Sequence, residues 1–271
     1  MYVQFLVDNS GSMSMDYKHR AVLDELRTHL GPHSTTISGN DIIDVNLFNY
    51  SMTKLFNKPM KKKHLDMNRL TNNIPPPNGG TALYDVTYGA ITGIQDLFRD
   101  NESKQALQLN YHDTHKYLIV LTDGEDVGSV RTHSQLRELI RNPNLPKFHL
   151  LLIGVGLNAA TTALMQGLCS SKVCTYIPCG SDYNMVKAAV AKAVQQVQII
   201  YTASLKMQGT PEQVAAMMGN LNLAGADGGD FMTMKALPAP QARRNHGGPS
   251  CTVTDEGSRG RSASRRPAQR W

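Results

Sequence analysis

Residues 5–13 read FLVDNSGSM: apolar residues lead into Asp8, and Ser10 and Ser12 follow at alternate positions around Gly11. Residues 3–7 read as a strand that ends in a tight, glycine-containing loop. Within five positions that loop offers one carboxylate and two hydroxyls, hard oxygen donors of the kind a small divalent cation prefers. Asp8, Ser10 and Ser12 therefore read as half of a metal site.

An octahedral ion needs ligands from more than one loop. In LIVLTDGED, residues 118–126, an apolar run delivers Thr122 and Asp123 into a turn at Gly124. In PPPNGGTALYD, residues 75–85, a Pro-then-Gly loop delivers Thr81 to the start of an apolar-periodic helix. Three loops thus supply five oxygen-bearing side chains: Asp8, Ser10, Ser12, Thr81 and Asp123.

This constellation resembles the von Willebrand factor A domain. That family's metal-ion-dependent adhesion site combines Asp-x-Ser-x-Ser on one loop, a Thr on a second and an Asp on a third. Asp8, Ser10, Ser12, Thr81 and Asp123 match those positions, over a resemblance that covers roughly residues 2–200. A lone Asp-x-Ser-x-Ser is weak, since Asp and Ser are ordinary turn residues; three matching loops in the right order are a much stronger signal. The resemblance implies an α/β fold with a doubly wound, mostly parallel central sheet, one antiparallel edge strand, helices on both faces and strand order 3-2-1-4-5-6. It also implies magnesium, with manganese or calcium as substitutes, held directly by Ser10 and Ser12. Thr81 would bind directly or through water, and Asp8 and Asp123 mainly through water.

The chain around these loops has 271 residues, 41% of them hydrophobic, enough to bury a substantial core. Its net charge of +6 is unevenly placed: 19 basic and 17 acidic residues precede Tyr201, and 9 and 5 follow. Residues 1–200 read as the folded domain, 201–224 as a short helical extension starting at Thr210-Pro211, and 225–271 as a disordered basic tail rich in Gly, Pro, Ser and Arg. No leader pattern and no apolar run of about 20 residues is visible, so the expectation is a cytoplasmic or nuclear protein without a transmembrane segment. Cys169, Cys174 and Cys179 lack zinc-clip spacing and read as buried or half-buried free thiols, with Cys174 and Cys179 on opposite faces of a strand.

Further elements follow from periodicity. Helices are expected at 17–30, 82–98, 134–141, 159–168 and 183–200, and strands at 42–48, 52–56, 117–121, 148–155 and 173–177. Three residues, Asn49, Tyr50 and Ser51, separate the second and third strands, so those must pair antiparallel. Ser14 and Asp16 read as caps of the first helix, Lys61-Lys62-Lys63 as a solvated face, and Asp126 as a solvated loop carboxylate. His112, Asp113 and His115 form the one histidine cluster, a weak candidate for a second metal.

Hydroxyl ligands leave the double charge of the ion poorly neutralised, so an Asp or Glu of a partner protein is the expected outside ligand. The function expected is a magnesium-dependent protein-interaction module rather than an enzyme. Phosphoryl-transfer hydrolases of the haloacid dehalogenase type need a second carboxylate two residues after the first, where this chain has Ser10. No G-x-S-x-G elbow, P-loop or glycine dinucleotide fingerprint is present. The alternative reading is RNA or polyanion binding through Arg259, Arg261, Arg265, Arg266 and Arg270 of the tail, with the first 200 residues as scaffold.

Overall fold

Strands β1 (Tyr2–Asp8), β2 (Ile42–Phe48), β5 (Lys116–Thr122) and β6 (Phe148–Val155) are buried at every position, which requires cover on both faces. The computed structural model describes residues 1–72 and 74–207, all within one unit of the chain. The helix expected from Thr210 and the basic tail lie outside the described residues. The remaining strands are β3 (Met52–Lys54), β4 (Met60–Lys61) and β7 (Cys174–Cys179). Among the described residues the α-helices are α1 (Lys18–Leu30), α2 (Arg69–Asn72), α3 (Leu83–Arg99), α4 (Asn101–Leu107), α5 (His133–Arg141), α6 (Ala159–Leu168) and α7 (Tyr183–Met207), with 3-10 turns at Gly11–Tyr17 and Lys62–His64.

The sheet runs β3-β2-β1-β5-β6-β7, with β4 also on β2. Pairing is parallel from β2 through β7, and β3 and β4 are antiparallel to β2. This is the expected doubly wound, mostly parallel sheet with an antiparallel edge, except that the edge is shared by two short pieces. Both carry lysine, Lys54 and Lys61, a charge that discourages edge-to-edge association.

Strand periodicity divides the interior into two cores. Odd-numbered residues such as Val3, Phe5, Val7, Val45 and Ile119 pack with Val22 and Leu26 of α1 and Val190 and Val194 of α7. Leu6, Phe48, Leu118, Val120 and Leu152 pack on the opposite face with Ile91 and Ile94 of α3, Leu136 of α5 and Met165 of α6. Cys174 and Cys179, five apart on β7, fall on opposite faces as their spacing requires.

Several local expectations need correction. The first helix begins at Lys18 with no side-chain cap. Ser14 Oγ instead donates to Gly11 O at 2.7 Å, and Asp16 and Tyr17 adopt left-handed backbone with φ of 54° and 58°. Each such non-glycine residue costs on the order of 1 kcal/mol. Lys62 is not solvated: it is buried, and its Nζ donates to Ser34 O at 2.6 Å and Ile37 O at 2.8 Å.

Cys169 and Cys174 form a disulfide rather than two free thiols. The turn from the end of α6 into β7 brings their Cα atoms to 4.6 Å, a proximity that linear spacing does not show. Cys179 remains a half-buried thiol, pushed up to about 12 by burial and then by Asp182. Helix α4 buries no residue and so carries no apolar stripe for periodicity to reveal; Asp100 caps it by accepting from Ser103 N. Helix α7 continues to Met207, past Ile200. Among the described residues no helix is long and apolar enough to cross a membrane.

Candidate metal centre

Chain order reverses between β1 and β5, so the loops leaving these neighbouring strands diverge around a crevice at their carboxyl ends. Register aligns Val7 with Leu121, which sets Asp8 beside Thr122. Asp8 is completely buried, with Oδ1 accepting from Ser10 N at 2.8 Å and Oδ2 from Thr122 Oγ1 at 2.7 Å. Its carboxyl is nevertheless raised to about 6, because burial outweighs these hydrogen bonds and Asp123 adds repulsion.

The second loop is stitched to the first. Gly11 N donates to Gly79 O at 3.0 Å and Asn78 N to Asn9 O at 2.9 Å. Gly79 needs its left-handed φ of 71° to make this turn. The ring of Tyr50 fills the space above glycines of two loops: a Cβ on Gly80 would stand 2.6 Å from its hydroxyl, and one on Gly128 2.7 Å from its ring. Thr81 is thereby held buried at the start of α3, its carbonyl accepting from Val127 N.

Asp123 completes the ring of donors. Its Oδ1 accepts from Ser12 Oγ at 2.7 Å, and Ser12 Oγ lies 3.0 Å from Ser10 Oγ. A Cβ on Gly124 would meet Thr81 Oγ1 at 2.9 Å and Ser12 Oγ at 3.9 Å, so the hydroxyls of the first and second loops face the same small space. All five residues read from the sequence are brought together at this end of the sheet.

Two participants were not read from the sequence. Thr122 holds Asp8; its hydroxyl lay in view beside Asp123, but only the β1–β5 register reveals its partner. Lys18 donates from Nζ to Asp123 Oδ2 at 2.7 Å, with its side chain 9% exposed and that of Asp123 0%. No linear signal connects residues 105 positions apart.

The acidic residues after Asp123 have separate structural tasks. Glu125 reaches α6, accepting from Asn158 Nδ2 at 2.7 Å and Thr161 Oγ1 at 2.9 Å, hydrogen bonds that hold its carboxyl below the usual range. Asp126 is not merely solvated. Its Oδ1 accepts from Tyr84 N at 3.2 Å and Ser129 Oγ at 2.5 Å. Asp85 replies from α3 by accepting from Val130 N and Arg131 N, and these backbone donors, Val130 first, lower its pKa.

These groups fit a small oxygen-seeking cation. Two ligands at right angles around an ion, each at about 2.1 Å, stand ~3.0 Å apart, as the Ser10 and Ser12 hydroxyls do. Burial raises the Asp8 carboxyl, a cost that a bound cation would offset. Among the described residues no three His, Cys, Asp or Glu side chains converge, at His112, Asp113 and His115 or elsewhere. The donor set is hydroxyl-rich, which suits magnesium better than zinc.

No family model and no curated protein matches the sequence. Solved structures do match. A von Willebrand factor type A protein from Catenulispora acidiphila is similar at 14% identity and TM-score 0.53, covering 73% of this chain and 42% of that one. The PilB minor pilin from Streptococcus sanguinis is similar at 13% identity and TM-score 0.50, covering 73% of this chain and 61% of that one. The chain therefore spans less than two thirds of either structure. Together with the strand order and the crevice between β1 and β5, the similarity shows that this chain has the von Willebrand factor A fold.

Proposed function

We propose that the domain is a magnesium-dependent protein-interaction module that recognises an Asp or Glu side chain of a partner protein. The observation that carries this reading is the convergence of the Ser10, Ser12 and Thr81 hydroxyls with Asp8 and Asp123 at the topological switch of the sheet. A bound magnesium ion would supply positive charge with a coordination position open to a carboxylate. Ser10 and Ser12 would be its direct protein ligands. Asp8 and Asp123 orient those serines, through Ser10 N and Ser12 Oγ, and supply negative charge behind them. Thr81 brings its hydroxyl close to Gly124, whose missing side chain leaves it room.

The same arrangement argues for recognition rather than catalysis. Ser10 occupies the place where a hydrolase would keep its acid and base, and a neutral hydroxyl cannot take that role at neutral pH.

Calorimetric titration of magnesium into metal-free wild type, Thr81→Ala and Asp123→Ala, with thermal unfolding alongside, tests the proposal. Wild type is expected to bind and to gain melting temperature. Asp123→Ala should lose both responses, and Thr81→Ala should bind more weakly while its metal-free melting temperature changes little. Equal heats and shifts in wild type and Asp123→Ala, or none in either, would overturn the reading.

A further inference from the structure

We infer that Lys18 is a tethered counter-cation of the metal centre: it keeps the donor ring assembled without metal and sets how tightly a divalent ion is held. The inference rests on the metal reading above and adds to it a residue from outside the ring of donors.

Three observations carry it. First, Asp123 uses both oxygens, one for the proton of Ser12 Oγ and one for the Lys18 ammonium, each at 2.7 Å. The ammonium and the serine hydroxyl thus use different oxygens of the one carboxylate. An ion on the serine hydroxyls and Lys18 could be present together, but they would compete for the same negative charge. Second, the pair is deeply buried, with side chains 9% and 0% exposed, so its charges are poorly screened by solvent. Third, the chain reaches this geometry through two consecutive left-handed residues, Asp16 and Tyr17, directly before Lys18. Helix α1 has no side-chain cap, and the Lys18 N–H closes that turn by donating to Met13 O and Met15 O. Its evident result is to begin α1 with Lys18 turned toward Asp123.

The charge balance gives the consequence. Asp8 and Asp123 alone would present two negative charges to an ion; Lys18 reduces the net to one. The ion should bind more weakly, yet once bound it should keep more positive charge for an incoming carboxylate. Metal binding and carboxylate capture then become linked, so the partner's acidic group contributes to retaining the ion.

The test measures magnesium affinity by calorimetry, and manganese affinity by the spin-resonance signal of the free ion, on metal-free wild type, Lys18→Met, Lys18→Gln and Lys18→Arg. Lys18→Met leaves a buried carboxylate without its counter-charge and can fail to fold without metal. Lys18→Gln keeps a hydrogen-bond donor for Asp123 while removing the charge. Expected are affinities about tenfold or more tighter in Lys18→Gln than in wild type, and near wild type in Lys18→Arg. Metal-free melting should be lowered in Lys18→Gln and restored by magnesium, whereas chelator should change wild type far less. Equal affinity in wild type and Lys18→Gln would overturn the role of Lys18 and leave the metal centre standing. No binding in any of the four proteins would overturn the metal centre, and this inference with it.

Discussion

Asp8 shows how much a single residue depends on neighbours contributed by other elements. A fully buried carboxylate needs every available donor, and Thr122 Oγ1 is the one that reaches Asp8 from another strand, across the β1–β5 register, beside those of Ser10. Thr122→Val keeps shape and β-propensity but removes that donor. It is expected to cost about 1–3 kcal/mol in urea denaturation of the metal-free protein and to weaken magnesium binding, because Asp8 then positions Ser10 less firmly. An unchanged denaturation midpoint would mean that Asp8 finds another donor. The five donor residues themselves were legible in the sequence, since each stands where an apolar run or a Pro-Gly loop gives way to polar residues. Thr122 was legible only as a loop residue, because its task is fixed by a strand 114 positions away.

At the scale of elements, helix α3 shows what a one-dimensional reading misses. Its stripe of Leu83, Val86, Ala90, Ile94 and Phe98 was visible from spacing, yet its N-cap position holds Ala82, which has no side-chain oxygen. The cap comes instead from the third loop: Asp126 accepts from Tyr84 N and Ser129 Oγ accepts from Asp85 N at 3.0 Å. Asp126→Ala should therefore lower stability by about 0.5–2 kcal/mol, measured by the urea midpoint, whereas a purely solvated carboxylate would leave it unchanged. The same contacts fix the loop that carries Asp123 against the helix that follows Thr81. Lysine 62 teaches a related lesson. A run of three lysines has the composition of a solvated face, but the 3-10 turn that follows β4 directs Lys62 inward onto the backbone carbonyls of Ser34 and Ile37.

For the whole molecule, the double cover that makes the sheet stable also buries ionisable groups. His19, His115 and His149 are each held down to about 4, in every case first by burial, with Lys147 and other positive charges adding to the effect at His115. Their folded values lie below the ordinary 6.5, so between about 6.5 and 4 the unfolded chain binds protons that the folded chain does not. Stability contributed by the neutral rings is complete above that window and falls as pH falls through it. Urea denaturation should show a net loss of roughly 1–4 kcal/mol between pH 7 and pH 5, because proton uptake by Asp8, raised to about 6, offsets part of the histidine cost, and His149→Gln should flatten the slope. A stability independent of pH over that range would contradict the burial of these rings.

Local sequence was enough for the alternation of strands and helices, the antiparallel turn at the sheet edge and the five oxygen-bearing side chains that the fold brings to one end of the sheet. Period, loop length and residue chemistry are local properties. Tertiary structure alone decided that Lys18 faces Asp123, that Thr122 serves Asp8, that Asp126 caps a helix 42 positions away and that Cys169 meets Cys174. Each of these depends on strand register or on the path of a turn, where a shift of one residue would turn the side chain to the opposite face.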